Sequence, residues 1–275
     1  MKASQVRGEI QRTISKQISE MSGRLSSWEI WQDMIVFIAT SIEAVLPSPN
    51  REKRETLYQD RAKKYSQKEL NVFPQIFAEI TDALEMNPDQ DFLGDLFMQL
   101  GLGNDWKGQF FTPYSVCQCM AGIETGEHVI DQINEHGWAS VNDPACGAGA
   151  LLVAMANECR HRGINYQTDL LFVAQDVDFL AGLMCYIQLS LLGCPGYVVI
   201  ADTLAHPAIS VDERGLIPAA GQEVWYTPMY FRDIWCMRRR LAKIDLAIQK
   251  KKIPEEEKED VPELSETKAG QFVLF

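Results

Sequence analysis

Three short runs, Ala139 to Asn142, Leu170 to Gln175 and Tyr197 to Ala201, have the length and apolar content of buried strands. Between them lie two stretches of helical period, Leu151 to Arg160 and Phe179 to Leu192. Strand, helix, strand, helix, strand is the order of a doubly wound, mostly parallel α/β sheet, whose ligands sit at the carboxyl ends of its strands. Glu223 to Tyr226 reads as a fourth strand and Phe231 to Lys251 as the helix after it.

The rest of the chain has another texture. Apolar residues recur at helical spacing from Ile10 to Leu46, stop at Pro47-Ser48-Pro49-Asn50, and resume in Phe73 to Leu84 and in Phe92, Leu96 and Leu100. We therefore expect an N-terminal helical region over 1–105, an α/β domain over 106–252, and a charged disordered tail over 253–275. In 275 residues there is room for one sizeable core and a smaller accessory unit.

The loop after the first strand carries the sharpest chemical signal, Asp143-Pro144-Ala145-Cys146-Gly147-Ala148-Gly149. Small residues let the backbone approach a ligand, and the following helix offers free amides at its N-terminus. Upstream stands Gly108-Gln109-Phe110-Phe111-Thr112-Pro113, and before it Asp91-Phe92-Leu93-Gly94-Asp95-Leu96. In this order the motifs resemble those of the N6-adenine DNA methyltransferases that form modification subunits of type I restriction systems. The likeness covers about residues 70 to 205.

The resemblance implies a Rossmann-like methyltransferase sheet, S-adenosyl-L-methionine as cofactor, and methyl transfer to adenine N6 in DNA. It implies that Phe111, Thr112 and Pro113 flank the methionine part of the cofactor, with Asp143, Ala145 and Gly147 in the loop beneath it. Asp176, ending the second strand, would accept from the ribose hydroxyls, and Asp178 competes for that role. Asp202, in Ala201-Asp202-Thr203-Leu204, would accept from the cofactor's adenine amine.

In the family an Asn-Pro-Pro-Tyr or Asn-Pro-Pro-Phe after the fourth strand holds the target amine and stacks on the flipped base. Here Tyr226-Thr227-Pro228-Met229-Tyr230-Phe231 stands at that distance, so Thr227, Pro228 and Tyr230 are the catalytic candidates by position. Thr227 replaces the amide, and a hydroxyl is a poorer acceptor than a carboxylate. After Tyr230 the chain has room for one helix and a tail where the family adds strands and a target-recognition region, so a short sheet is expected. A partner subunit, or a homo-oligomer, would then supply DNA recognition. The alternative is a catalytically silent relative that binds cofactor or protein partners.

Charge and other residues narrow the choices. The net charge of −12 argues against a protein that coats nucleic acid. The bases gather in 51–68 and 232–252, where a polyanion could dock if they are not merely solvated helix faces. No metal site is expected: Cys117 and Cys119 point to different faces of a helix, and His128 and His136 complete no ligand set. Cys146 reads as a packing residue and the seven cysteines as reduced thiols. With no apolar leader or membrane span in view, a cytoplasmic location is expected. The terminal Gln271-Phe272-Val273-Leu274-Phe275 resembles the peptide that hooks bacterial polymerases and repair proteins onto the DNA sliding clamp, through Gln271, Leu274 and Phe275. Folding back as an added strand on the chain's own sheet is the competing reading.

Overall fold

A computed structural model describes residues 3–102, 111–252, 265–266 and 272–273. Helices α1 (Ala3–Met21), α2 (Ser27–Glu43), α3 (Arg51–Ala62), α4 (Gln67–Leu70), α5 (Phe73–Met86) and α6 (Phe92–Gln99) form the N-terminal part. Then come α7 (Tyr114–Glu124), α8 (Glu127–His136), β1 (Ala139–Asp143), α9 (Ala150–His161), α10 (Tyr166–Asp169), β2 (Leu170–Asp176), α11 (Phe179–Leu191), β3 (Gly196–Ile200) and β4 (Glu223–Tyr226). A 3-10 turn over Pro228–Phe231 leads into α12 (Asp233–Lys252).

Local chemistry sets the helix starts. Ser26 and Glu29 close a capping box at α2, and Ser66 with Glu69 closes another at α4. The Asp91 and Asp178 side chains cap α6 and α11 by accepting from the Gly94 and Ala181 amides. Asn87 and Pro88 end α5, and Gly137, in the left-handed region, ends α8.

The four strands lie in sequence order, β1-β2-β3-β4, with β1, β2 and β3 parallel and β4 antiparallel to β3. This corrects the expectation of a doubly wound sheet. Strands added in one direction through crossovers of one hand put both crossover helices on the same face. Accordingly Leu170, Phe172 and Ala174 of β2, Val198 of β3 and Trp225 of β4 share a core with α9 and α11. Alternate residues, Leu171, Val173, Tyr197, Val199 and Val224, face the other side, which Ala208, Leu216, Trp235 and Ala242 cover. The second face is thus closed by the segment 201–222 and by α12, not by a second set of crossovers.

That segment explains why β4 runs backwards. After β3 the chain turns at the carboxyl end of the sheet, where Gln175 donates to the Ala201 and His206 carbonyls and accepts from the Ala208 amide, and then passes over the second face before returning. Asp212 accepts from the Arg214 and Leu216 amides, and the Tyr197 hydroxyl donates to the Gly215 carbonyl. The chain re-enters the sheet at Glu223 opposite Ile200 and descends, so that Tyr226 pairs with Tyr197 at the amino end of β3.

The boundary expected at 105 does not separate two cores. Ile14, Ile30, Trp31, Ile35, Ile76, Phe92 and Phe97 belong to the same apolar cluster as Met155, Leu183, Tyr186 and Trp225. Arg54, buried, ties the two parts: it meets Glu43 at 3.0 Å and Glu223 at 2.6 Å, and its guanidinium lies 3.5 Å from the centre of the Trp225 ring. Of the tail, Phe272–Val273 pairs antiparallel with Ser265–Glu266 and not with the four-stranded sheet. Gln271, Leu274 and Phe275 lie outside the described residues, as do Gly108, Gln109 and Phe110.

Candidate cofactor site

At the carboxyl ends of β1 and β2 a cleft of about 480 Å³ is lined by Phe111, Thr112, Asp143, Ala145, Gly147 and Asp176. The loop from Asp143 to Gly149 forms its floor and is held at each turn. The Ala145 amide donates to Asp143 Oδ1 at 3.2 Å, the Cys146 amide to the Gln175 carbonyl at 2.9 Å, and the Gly147 amide to Asp176 Oδ2 at 2.8 Å. Gly147 has φ +54°, and a Cβ there would stand 3.0 Å from the Phe111 ring. At Gly149, φ +93°, a Cβ would meet Cys185 Sγ at 2.8 Å. Both glycines are therefore required by close approach, one to the aromatic wall of the cleft and one to α11.

The cleft is electronegative. Burial, opposed by the Ala145 amide and reinforced by the Asp176 charge, pushes the Asp143 carboxyl above the usual carboxylate range. Among the described lining residues there is no Lys or Arg to offset the two acids. Such a site favours a ligand bearing positive charge and hydroxyl donors. The hydrogen bond of Cys146 with Cys185, then burial, raise its thiol well above the ordinary value, as suits a packing residue.

Asp176 and Asp178, two residues apart, have different duties. Asp176 is buried, lines the cleft, and also accepts from the Asp178 amide at 2.8 Å. Asp178 is turned to the helix start, where it caps α11. Pro113 directly precedes α7 beside the cleft. Asp202 follows β3 at the same end of the sheet, but it is exposed and its Oδ1 accepts from the Leu204 and Ala205 amides of its own turn. It does not line the cleft.

The catalytic candidates sit elsewhere. Because β4 is antiparallel, Thr227, Pro228 and Tyr230 follow its end at the amino edge of the sheet, separated from the cleft by the length of β3, about 13 Å for four residues of strand. Their side chains are spent on packing. The buried Thr227 hydroxyl donates to the Cys194 carbonyl at 2.7 Å and accepts from the Gly196 amide at 3.0 Å. The Tyr230 hydroxyl donates to the Leu216 carbonyl at 2.8 Å, and its ring stacks on Tyr226. The expectation that these residues face the methyl donor is thus corrected.

Two buried groups behind the loop were not foreseen. The Gln188 amide oxygen accepts from the Phe92 and Leu93 amides, and its nitrogen donates to Asp91 Oδ1 and to the Ala148 carbonyl, each at 2.8 Å. It thereby joins the start of α6 to the glycine loop. Burial pushes the Asp91 carboxyl up, against the hydrogen bonds from Gln188 and Gly94. A long polar side chain inside the apolar run of α11 was the available signal.

Several bases of the two stretches are engaged within the molecule. Arg61 and Lys64 both meet the buried Asp33, Lys53 meets Glu223 at 3.1 Å, and Lys63 meets Asp60 at 2.8 Å. In α12, Arg238 donates to the Thr168 and Gly137 carbonyls and Arg239 to that of Tyr230.

No group of three or more metal-ligating side chains occurs among the described residues, and no helix there is long and apolar enough to cross a membrane. No curated protein and no solved structure shows a significant match to the chain. The N-6 DNA methylase profile matches residues 89–258, which takes in the cleft, all four strands and the Asp91 cap. By that match over more than half its length, the chain belongs to the N-6 DNA methylase family.

Proposed function

We propose that this chain is the cofactor-binding component of a DNA adenine-N6 methylating system, taking S-adenosyl-L-methionine into the cleft beside Asp143 and Asp176. The observation that carries the reading is the pairing of two carboxylates over a glycine floor at the carboxyl ends of adjacent parallel strands. The three parallel strands are compatible with one half of a Rossmann-like sheet. When bound, the cofactor supplies an electrophilic methyl group on a sulfonium. Asp176 has lone pairs left after its two amide contacts and would accept from ribose hydroxyls. Asp143 would offset positive charge, and the Phe111 ring would exclude water from one side.

Residues 226–231 take no part in this function. An acceptor for the adenine amine would have to come from other residues or from a partner subunit, which would also bring DNA recognition. The position of Thr227 and Tyr230 at the far end of the sheet favours a second reading, a catalytically silent relative that binds cofactor and partners. Calorimetry with S-adenosyl-L-methionine and its demethylated product tests the shared core of both readings, and absence of heat with either ligand would refute it. Transfer of labelled methyl groups to DNA separates them. Transfer that survives Tyr230→Ala supports the first reading, and a cofactor-binding chain that never transfers supports the second. Work in a restriction-modification setting in the cytoplasm goes with the first.

A further inference from the structure

Helix α12 has two faces. Trp235 and Ala242 are buried against the sheet, with Arg238 and Arg239 half-buried beside them. On the opposite face Ile234, Met237, Leu241, Ile244 and Ile248 are 38%, 63%, 59%, 55% and 46% exposed, and none joins either apolar core. Their spacing is three, four, three, four. That is the 3.5-residue repeat by which one helix meets another, narrower than the stripe a helix lays on a sheet or a membrane.

The flanking charges choose the partner and its direction. With Ile234, Leu241 and Ile248 at the a positions and Met237 and Ile244 at d, the g positions hold Asp233 and Arg240 and the e positions Arg238 and Asp245. A parallel pair sets each g residue against the e residue five places on, which places Arg240 by the partner's Asp245 and Asp233 by the partner's Arg238. An antiparallel pair, in which g meets g and e meets e, sets Arg240 against the partner's Arg240 and Arg238 against the partner's Arg238 when centred on residue 239, and brings Arg240 to Asp245 in no register. Arg240 and Asp245 are exposed, and neither has an ion pair among the described residues. Arg238 is engaged by the Thr168 and Gly137 carbonyls, so the Arg240–Asp245 contact is the discriminating one.

We propose that this face binds the same face of a second copy of the chain, as a short parallel two-stranded coiled coil. The helix is already formed on its own sheet, so pairing carries no cost of nucleation. Covering the stripe on both copies removes on the order of 1,000 Å² from water, the lower bound for a specific interface.

Sedimentation equilibrium of the full chain between 1 and 100 μM is the test. The wild type should dimerise, and Leu241→Asp should be monomeric throughout with an unchanged thermal transition. Arg240→Asp or Asp245→Arg alone should each raise the dimer dissociation constant about tenfold, since two symmetric attractive contacts become repulsive, and the double reversal should restore it. This rescue keeps the test decisive if Leu241→Asp misfolds. A wild type monomeric at 100 μM overturns the proposal. So does a dimer indifferent to Leu241→Asp or to the single charge reversals. Binding of a monomeric wild type to anionic phospholipid vesicles, lost in Leu241→Asp, would assign the face to a membrane surface instead.

Discussion

Replacing Asp143 by Asn separates what the cleft does for the protein from what it does for a ligand. The Asn oxygen can still accept from the Ala145 amide, so the loop keeps its hydrogen bond. What disappears is a half-buried carboxylate beside Asp176, whose partial burial raises its pKa. Because that pKa is raised above the unfolded value, the folded state holds the proton more tightly, and wild-type stability falls as pH climbs from about 4 through the raised value. The Asn variant escapes this loss. Its thermal transition without ligand should equal or exceed that of the wild type at pH 7, and the difference should close below about pH 4.

Cofactor affinity should move the other way. Loss of one charge-assisted contact is worth about 1.5 to 3 kcal/mol, a factor of about 10 to 150 in dissociation constant. Wild-type affinity should also weaken as pH falls through the raised Asp143 value, and the Asn variant should lack that contribution. Calorimetry at several pH values and a thermal-shift series measure both. A variant that binds S-adenosyl-L-methionine as well as the wild type would refute the assignment of Asp143 to the ligand. A clear drop in ligand-free stability at pH 7 would refute the electrostatic argument.

Three further outcomes are expected. Gln188→Ala orphans the buried Phe92 and Leu93 amides and frees the glycine loop, and denaturant unfolding should show a loss of about 3 kcal/mol together with weaker cofactor binding. Thr227→Val leaves the Gly196 amide without its side-chain acceptor and should cost about 1 to 3 kcal/mol by the same assay, while cofactor affinity stays unchanged because the cleft lies at the other end of β3. Removal of residues 271–275 should abolish any binding to a bacterial sliding clamp in surface plasmon resonance and leave calorimetric cofactor affinity intact. A clamp interaction that persists without those residues would retire the docking proposal.

The parts that were legible in the sequence are those fixed by neighbours along the chain. β2 and β3 declare themselves as apolar runs, and the small residues from Ala145 to Gly149 declare a close approach. Even the rivalry of Asp176 and Asp178 has a local answer, since Asp178 stands three residues before the amide it caps. What was not legible depends on pairing across distance. Glu223 to Tyr226 reads equally well as a strand in either direction, and its antiparallel register against β3 carries Thr227 and Tyr230 away from the cleft. The shared core is of the same kind, because apolar periodicity in α2 shows that a face is buried but not that α11 is what buries it.

That shared core has a consequence for how the chain is made. Trp31, Ile35 and Phe97 are synthesised well before Leu183, Tyr186 and Trp225, whose apolar surface they join. At about 5 to 20 residues per second, Trp31 waits roughly 10 to 40 seconds before Trp225 is made. Throughout that interval the face of α2 that α11 will cover stays open, with Asp33 and Glu43 not yet in their finished surroundings. Newly made chain is therefore most exposed to sticking or to capture by chaperones before β4 is translated. Swapping a slow for a fast codon run between residues 100 and 225 should alter yield without altering a single contact in the finished protein.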